Sequence, residues 1–410
     1  MKIEKTTLVL AVKLLGVLTA VMLFLQSLHP AWRSHMQVDS YFVFYDRAHH
    51  LFTHGNLATL EFNEYQPGAM VFFSLLSPLF LFTESREVFQ NTLIILNLLL
   101  IILYARTARM TNGPWGAASL FLILLCTGPL LLFRFEVFVH LLIVVSIIVW
   151  NKKKHLWAMV PLAFATLTKL YPIVLAPYFA LLALHHKDWK YAARVVVTYA
   201  GIMLLMLSAY AAAMKLGVVE ILQQSLVHNK KPINLDTLFV SIISVTDLIQ
   251  TATLPEWNGY LVHGIADTAL WGPRALYDYV WVGVVGGVYL WLMRQTHLLK
   301  TFNPAVAALV LALFLLSNTQ LNPQYFHWSL LFVPLITFRK KQSRQIVLLV
   351  FFACMTAVLT QFVYPLWYSE FVSLYQTGVG SMLPFFLILV RNVIFVLYAV
   401  TLWKLLTTKD

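Results

Sequence analysis

Long runs of apolar residues, separated by short polar segments, repeat along almost the whole chain. A membrane-spanning helix needs about 20 mainly apolar residues, and roughly twelve runs approach that length. They fall near positions 7–28, 88–105, 115–133, 136–150, 156–168, 171–184, 190–213, 277–293, 303–317, 326–338, 345–363 and 379–402. The pattern predicts an all-α polytopic membrane protein that forms a single integral membrane domain over residues 1–410.

The composition strengthens this prediction. The 410 residues are 60% hydrophobic and 11% charged, whereas a soluble protein has about 25% charged residues. So few charges cannot cover a surface that faces water, which excludes a water-soluble multidomain protein. The two cysteines, Cys126 and Cys354, both lie inside apolar runs, so the sequence gives neither a disulfide framework nor a paired cysteine metal motif.

The net charge of +12 suggests nucleic acid as a partner until the positions of the charges are considered. If the N-terminus lies inside and the twelve runs cross in order, 18 of the 29 basic residues fall on one side, with only three of the 17 acidic residues. The basic residues lie in segments 2–5, 106–109, 152–154, 187–194, 294–300, 339–344 and 404–409, and the three acidic residues on that side are Glu4, Asp188 and Asp410. An excess of Lys and Arg marks cytoplasmic loops. The sequence therefore predicts cytoplasmic N- and C-termini in the cell membrane, contact with the lipid bilayer and no nucleic-acid partner.

One apolar stretch, 67–82, does not fit the count of crossings. If it crossed the bilayer, every later basic segment would lie outside. We therefore interpret it as a re-entrant or interfacial helix within a first outer loop over residues 29–87. A second outer loop over residues 215–275 has mixed polarity, which is typical of a folded loop.

The first outer loop contains Asp39, followed by an aromatic-rich segment. From Phe44 to Phe52 apolar residues recur at helical spacing, and Gly55 is a natural C-terminal stop. This pattern predicts an amphipathic helix on the outer membrane surface. Asp39 could cap that helix or act as a general base that takes the proton of an attacking hydroxyl. The sequence leaves both interpretations open.

Charged residues also stand next to apolar runs at the predicted outer face. Arg134 and Glu136 lie two residues apart between two runs, either in a short loop or as a charge pair that is costly in a membrane. Lys169 ends a short run, where it could bind a phosphate or extend its amine to the interface. Arg391, near the middle of the last run, must find a partner inside the bundle, and a structural role is favoured for it.

Two further segments hold candidate ligands. Lys231 lies in the second outer loop, where lysines run against the charge asymmetry, and a lipid or sugar phosphate would account for it. A span then opens with amide, imidazole and aromatic groups in a row over 323–328. An interface belt explains Tyr325 and Trp328 better than it explains Gln324 and His327.

Taken in order, these segments resemble the membrane-embedded glycosyltransferase C superfamily, and most closely the polyprenyl-phosphate-dependent mannosyltransferases of glycosyltransferase family 87. The family shows an Asp shortly before a Tyr-rich helix and then a Gly, and Asp39 and Gly55 look like these two residues. Residues 64–68 look like the Glu-Tyr-Pro-Pro-Gly turn of the family. Residues 134–136 are similar to the family's Arg-Phe-Asp motif, and residues 169–172 to its Lys-x-Tyr-Pro motif. Residues 231–237 are similar to the family's Arg-Pro-Ile-Gln-x-Glu-Ser motif, and residues 323–328 to its Pro-Gln-Tyr-x-x-Trp motif. The likeness extends to about residue 340.

The departures from the family pattern keep charge or polarity. Gln66 replaces a proline, Glu136 lengthens an Asp, Lys231 replaces an Arg and Asp236 shortens a Glu. A lysine cannot make the bidentate phosphate contact of an arginine. Donor and acceptor are therefore free to differ from those of the best-known members.

The resemblance implies a glycosyltransferase C-like bundle of about twelve transmembrane helices. Such an enzyme moves a hexose, with mannose favoured, from a polyprenyl-phosphate sugar to a hydroxyl of a lipid or glycan acceptor at the outer face, with inversion. Asp39 would be the catalytic base, with Asp46 in reserve. The substrate-binding residues would be Arg134, Glu136, Lys169, Tyr171, Lys231, Gln324 and His327. A divalent metal is not required, although Asp39 and Glu136 leave one open.

The main alternative is a transporter or flippase of lipid-linked sugars. Such a protein would spread polar groups through the midplane and would show repeated halves, whereas here the unusual residues gather at one face and no repeat is visible. A non-catalytic scaffold would leave Asp39 and the outer lysines unexplained. The sequence also lacks the Gly-x-x-x-x-Gly-Lys, His-Glu-x-x-His and Gly-x-Ser-x-Gly motifs, so nucleotide-driven pumping and those hydrolase chemistries have no support.

Overall fold

The computed structural model describes residues 5–55, 65–225, 233–258, 264–265, 275–338 and 342–408. Within these ranges the chain forms eighteen α-helices. They are α1 (Lys5–Leu28), α2 (Pro30–Gln37), α3 (Tyr45–His54), α4 (Pro67–Leu76), α5 (Arg86–Thr127), α6 (Glu136–Asn151), α7 (His155–Thr168), α8 (Ala176–His186), α9 (Trp189–Met214), α10 (Val218–Ser225), α11 (Leu238–Thr251), α12 (Ala275–Asp278), α13 (Val280–Arg294), α14 (Pro304–Leu316), α15 (His327–Leu330), α16 (Ser343–Gln361), α17 (Tyr368–Thr377) and α18 (Leu383–Thr407).

Shorter segments of other helical types connect them. The 3₁₀-helices are Ser77–Leu81, Gly128–Phe133, Tyr171–Leu175, Thr296–Leu299, Pro323–Phe326 and Val333–Leu335, and the π-helices are Val38–Phe44 and Phe362–Leu366. The all-α prediction is therefore confirmed for the described ranges, apart from one small sheet.

Five helical segments are long and apolar enough to cross a membrane. They are Thr6–Leu28, Arg86–Phe133, Trp189–Met214, Ser343–Leu366 and Leu383–Thr407. Seven apolar helices of 10–17 residues, α6, α7 and α14 among them, accompany these five. The chain has the helices of a membrane protein, while the count of about twelve crossings stays a prediction.

The main core surrounds α14. This helix reads Pro-Ala-Val-Ala-Ala-Leu-Val-Leu-Ala-Leu-Phe-Leu-Leu and buries most of its circumference against α13, α15 and α18. A helix that is apolar all round belongs in the interior. The candidate spans in α1 and α9 are mostly exposed, so lipid would cover their apolar faces.

A break divides α5 where the sequence predicts the boundary between two helices. Asn112 and Gly113 leave helical geometry, Gly113 has φ 63° and ψ −156°, and Pro114 follows. That backbone conformation is open essentially to glycine alone. The predicted boundary between the runs 88–105 and 115–133 is therefore confirmed as an Asn-Gly-Pro kink.

The run 67–82 forms α4 and then a 3₁₀-helix that begins Ser77-Pro78. The ten residues of α4 rise about 15 Å, half of the hydrocarbon core of about 30 Å. This length is compatible with a re-entrant or interfacial helix, and that position stays a prediction.

The expectation of one spanning helix over 326–338 is wrong. The chain there forms a 3₁₀-helix to Phe326, the four-residue α15 and a further 3₁₀-helix over Val333–Leu335. Pro334 contributes to the interruption, because a proline lacks the N–H that a continuing helix would need. The segment is apolar because it is buried among other helices, which hydrophobicity alone does not distinguish from contact with lipid.

The described parts of residues 215–275, the second predicted outer loop, are folded, as the mixed polarity indicates, while their place outside the membrane stays a prediction. The strands β1 (Ile233–Asn234), β2 (Trp257–Asn258) and β3 (Gly264–Ile265) form an antiparallel sheet in the order β1-β3-β2, with Ile233 opposite Ile265. Helix α11 follows β1, and the Thr237 hydroxyl caps it by accepting the Val240 N–H at 3.2 Å. Side chains of α11, α17 and α18 form a second hydrophobic cluster around this region.

Candidate active site

Asp39 lies within the π-helix Val38–Phe44, which runs without a break into α3. The residue before α3 is Phe44, which is helical and makes no side-chain cap. The N-cap interpretation of Asp39 is therefore wrong. Its carboxylate forms an ion pair with the guanidinium of Arg134. The predicted stop is confirmed, because Gly55 adopts φ 66° and donates its N–H to Leu51; the surface position of α3 stays a prediction.

A second ion pair lies beside the first. Glu136 opens α6, where a carboxylate is favoured by the helix dipole, and its side chain pairs with the ammonium of Lys169. Lys169 follows α7 in an extended conformation, with φ −155° and ψ 130°. Only Phe135 separates Arg134 from Glu136 in the chain, so the Asp39–Arg134 and Glu136–Lys169 ion pairs are adjacent. Arg134 and Phe135 do form a short connection between the 3₁₀-helix that ends at Phe133 and α6, as one interpretation of the sequence expected, but the side chains of Arg134 and Glu136 are both buried.

The four charged side chains differ in accessibility. The Asp39 side chain is 38% exposed and that of Glu136 only 1%; among the cations, Lys169 is 18% exposed and Arg134 is 7% exposed. An incoming molecule therefore reaches Asp39 and Lys169 first, while Glu136 and Arg134 lie beneath them.

Aromatic rings surround the Lys169 ammonium. Its Nζ lies 5.2 Å from the ring centroid of Phe135, 5.1 Å from that of Tyr325 and 5.6 Å from that of Trp328. The Trp328 ring stacks between Tyr325, at 4.0 Å, and Tyr171, at 4.1 Å. The ring faces stabilise the cation and present flat apolar surfaces beside the charges.

Besides the guanidinium of Arg134, three buried polar atoms of this cluster have no hydrogen-bond partner in the part of the chain that the structure describes. They are Glu136 Oε2, Tyr171 Oη and Trp328 Nε1. Buried polar atoms are nearly always hydrogen-bonded, and each exception asks for a missing partner. A carboxylate oxygen accepts, an indole N–H donates and a phenol does both. Together they match a ligand with several hydroxyl groups.

Polar side chains of α5 hold the two segments that carry Asp39 and Arg134. The Asn97 amide donates to the backbone carbonyl of Arg134 at 2.7 Å. The Gln90 amide donates to Ser40 Oγ at 3.2 Å and accepts from Arg33 Nε at 3.1 Å. We did not predict these residues from the sequence, although two amides seven residues apart within an apolar run share a helix face and need partners.

The turn before α4 packs directly on this cluster. Tyr65 contacts the rings of Phe44 and Phe135, with centroids 5.8 Å and 6.1 Å away. A Cβ at Gly68 would lie 2.4 Å from Thr168 Oγ1 and 2.6 Å from its backbone nitrogen. Glycine is thus required where α4 meets the last residue of α7, one position before the lysine.

Gln324 and His327 lie in the same region but are buried. His327 Nε2 is 2.9 Å from Thr127 Oγ1, and its Nδ1 is 3.1 Å from the backbone carbonyl of Gln324. Both ring nitrogens therefore contact protein groups. Their predicted contacts with phosphate or sugar stay predictions, and Lys231 and Glu64 lie outside the described residues.

The second-loop motif is attached to the last helix. Arg391 Nη1 lies 2.8 Å from Asp236 Oδ1, and Nη2 donates to the Asp236 backbone carbonyl at 2.6 Å. The guanidinium also lies 4.7 Å from the ring centroid of Phe326, and the Asn234 N–H donates to Thr319 at 3.0 Å. The predicted bundle partner of Arg391 is therefore confirmed, and the 323–328 and 233–237 motifs lie side by side.

The reserve candidate Asp46 belongs to a different pair. Its carboxylate lies 2.9 Å from the Arg86 guanidinium, and both side chains are partly exposed. On the same helix, burial and the neighbouring His54 and Arg47 lower the pKa of His50, so that this imidazole is neutral near pH 7. Asp46 lacks the buried polar surroundings of Asp39.

Comparison with known proteins matches the part of the chain that carries most of these charged residues to a family. A family model described as glycosyltransferase family 87 matches residues 63–318, well over half of the chain. The match includes Arg134, Glu136 and Lys169, while Asp39 and the 323–328 segment lie beyond its ends. A search of curated proteins finds no match.

Proposed function

The chain belongs to glycosyltransferase family 87, and we propose that it transfers a hexose, mannose in the first instance, from a polyprenyl-phosphate sugar to a hydroxyl of a lipid or glycan acceptor. One observation carries this proposal. The two ion pairs, which include the accessible Asp39 and the ring-lined Lys169, lie beside three buried polar atoms that have no hydrogen-bond partner among the described residues. Such a site has groups for a phosphate, for sugar hydroxyls and for a proton.

In the proposed reaction Asp39 is the general base. The acceptor hydroxyl gives its proton to the carboxylate while its oxygen bonds to the anomeric carbon, and the bond from that carbon to the phosphate oxygen breaks. The electron pair leaves with the polyprenyl phosphate, whose charge Lys169 and Arg134 stabilise. A single displacement of this kind inverts the anomeric centre. The choice of Asp39 over Glu136 rests on accessibility, 38% against 1%.

Glu136 has a different role in the proposal. Its buried carboxylate holds the ammonium of Lys169 in place, and Oε2 accepts a hydrogen bond from a sugar hydroxyl, which Tyr171 also contacts. Arg134 is shared, because the donor phosphate competes with Asp39 for its charge. Lys231 is a further proposed phosphate ligand. His327, with both nitrogens engaged, positions the segment that carries Gln324 and the Trp328 ring.

We place the reaction at the outer face of the cell membrane, with both termini cytoplasmic, because the basic segments then lie inside. A polyprenyl chain keeps its donor in the bilayer, so the sugar is available there without a nucleotide. The mechanism needs no divalent metal, since each carboxylate of the site already has a cation as its partner.

The decisive experiment supplies radiolabelled polyprenyl-phosphate-mannose and candidate lipid and glycan acceptors to the purified protein. Asp39→Asn should lower the transfer rate by about 10²–10⁴-fold, the range of general-base catalysis. Asp46→Asn is the matched control, because it removes the same charge from a partly exposed pair and should leave the rate near wild type.

Undiminished transfer by a folded Asp39→Asn variant would refute the proposed base, and a selective loss in Asp46→Asn would move the role there. Movement of the labelled lipid between leaflets without any transfer would support the transporter or flippase alternative instead.

A further inference from the structure

A concave surface lies between α6 and α7 on the outside of the bundle, away from the charged cluster. It has a volume of about 480 Å³, within the usual range of about 300–1,000 Å³ for ligand sites. Its lining is almost wholly apolar and consists of Leu142, Val145, Val149, Lys154, Trp157, Val160, Pro161 and Phe164. We refer to it as the α6–α7 groove.

The two ends of the groove differ chemically. Lys154 lines one end, next to two further lysines in the turn that joins α6 to α7, where Lys153 adopts φ 61°. No lysine of 152–154 pairs with a carboxylate among the residues that the structure describes. At the other end the Phe164 ring packs edge-on against Phe138, with centroids 5.9 Å apart. The charge of the groove is thus at the end remote from the candidate active site.

The length of the groove matches one leaflet. Lys154 and Phe164 are ten residues apart, which corresponds to about 15 Å along a helix. The hydrocarbon core of a bilayer is about 30 Å thick. Val145 and Val160 are both more than a third exposed, so a chain lying in the groove contacts both helices.

We propose that the α6–α7 groove binds one anionic phospholipid from the leaflet on the side of the lysine turn. An acyl chain lies between the two helices, and the phosphate contacts Lys154. Charge complementarity carries this assignment, because uncompensated lysines at the cytoplasmic end of an interhelical groove attract anionic head groups.

The donor's own polyprenyl chain fits the groove less well. Its phosphate belongs at Lys169, near the end of the groove that carries no charge. The rings of Phe72, Phe138 and Phe164 contact each other in series between that end and the site. The proposal therefore stands independently of the transferase reaction.

Native mass spectrometry of the purified full chain tests the proposal with phosphatidylglycerol and phosphatidylcholine of identical acyl chains. Wild type should retain one phosphatidylglycerol in preference to phosphatidylcholine. Lys154→Gln should lose that preference, and Val160→Trp, which fills the groove, should lose both lipids. The matched controls are Lys190→Gln and Val197→Trp on α9, both at exposed positions outside the groove, and they should retain lipid as wild type does.

Three results would overturn the proposal. One is retention of phosphatidylglycerol by a folded Val160→Trp variant, with Val145→Trp as its replacement if the first does not fold. Another is an equal loss in Lys154→Gln and Lys190→Gln, which would indicate general surface charge. The last is displacement of phosphatidylglycerol by polyprenyl phosphate alone, which would assign the groove to the donor chain.

Discussion

The Asp236→Asn substitution tests the buried ion pair that attaches the second-loop motif to the last helix. Asp236 and Arg391 are each 1% exposed, with 2.8 Å between Nη1 and Oδ1. Asn392 adds a hydrogen bond to the Asp236 backbone carbonyl at 3.3 Å. The substitution preserves shape and removes one charge, so its effect reports the electrostatic role of the pair.

Removing one partner of a buried ion pair typically costs about 3–5 kcal/mol, because the other charge stays buried without compensation. Asp236→Asn should lower the free energy of unfolding by an amount at the lower end of this range, since Arg391 keeps its hydrogen bond to the backbone carbonyl and its contact with the Phe326 ring. Arg391→Met belongs at the upper end, since it leaves the carboxylate of Asp236 without its cation. The double variant should lose less than either single one, because no unpaired charge remains.

Equilibrium unfolding in mixed detergent and SDS micelles measures these free energies. Asp46→Asn is the matched control, because the exposed pair with Arg86 should contribute at most about 1 kcal/mol. A loss of less than about 1 kcal/mol for Asp236→Asn would refute the reasoning. So would a double variant whose loss equals the sum of the two single losses, because independent contributions would mean that the charges do not interact.

Three further predictions concern the candidate site. Gly68→Ala should lower the unfolding midpoint and the transfer rate, since a Cβ there lies 2.4 Å from Thr168 Oγ1 and overpacking costs about 1–3 kcal/mol. The control Gly201→Ala, with nothing within 4 Å of its Cβ, should raise the unfolding midpoint instead. Equal changes of midpoint in the two variants would contradict the packing argument. Asn97→Leu should lower the free energy of unfolding by about 1–3 kcal/mol, because the buried carbonyl of Arg134 loses its hydrogen-bond donor. The kcat of transfer should fall as well, and an unchanged kcat would show that this hydrogen bond does not position the site. EDTA should leave the transfer rate unchanged, and a loss that Mn²⁺ or Mg²⁺ restores would oppose the metal-free mechanism.

Features that depend on local sequence could be predicted. The Asn-Gly-Pro sequence breaks α5 where the apolar runs 88–105 and 115–133 were expected to separate, and Gly55 ends α3 in the left-handed conformation. The need of Arg391 for a partner also followed from its apolar surroundings. In each case the cause lies within a few neighbouring residues or in the cost of burying a charge.

Features that depend on packing between distant helices could not be predicted. Asp39 and Arg134 are far apart in sequence, and their pairing requires Gln90 and Asn97 of α5 to hold both segments. Apolarity likewise predicts burial without showing whether lipid or protein covers a segment, which is why 326–338 was expected to be one helix. The partner of Glu136 also became apparent only in the folded chain.

The adjacency of the two ion pairs suggests why two carboxylates can serve one reaction without exchanging roles. Glu136 is 1% exposed and pairs with the ammonium of Lys169, so in the proposed reaction it holds the lysine and the donor sugar and does not act as the base. Asp39 shares Arg134 with the incoming phosphate in the proposed reaction. Once that phosphate takes up part of the guanidinium charge, Asp39 is held less firmly as an anion and accepts the acceptor's proton more readily. Donor binding would thereby prepare the base, which follows from placing Arg134 between the two anions.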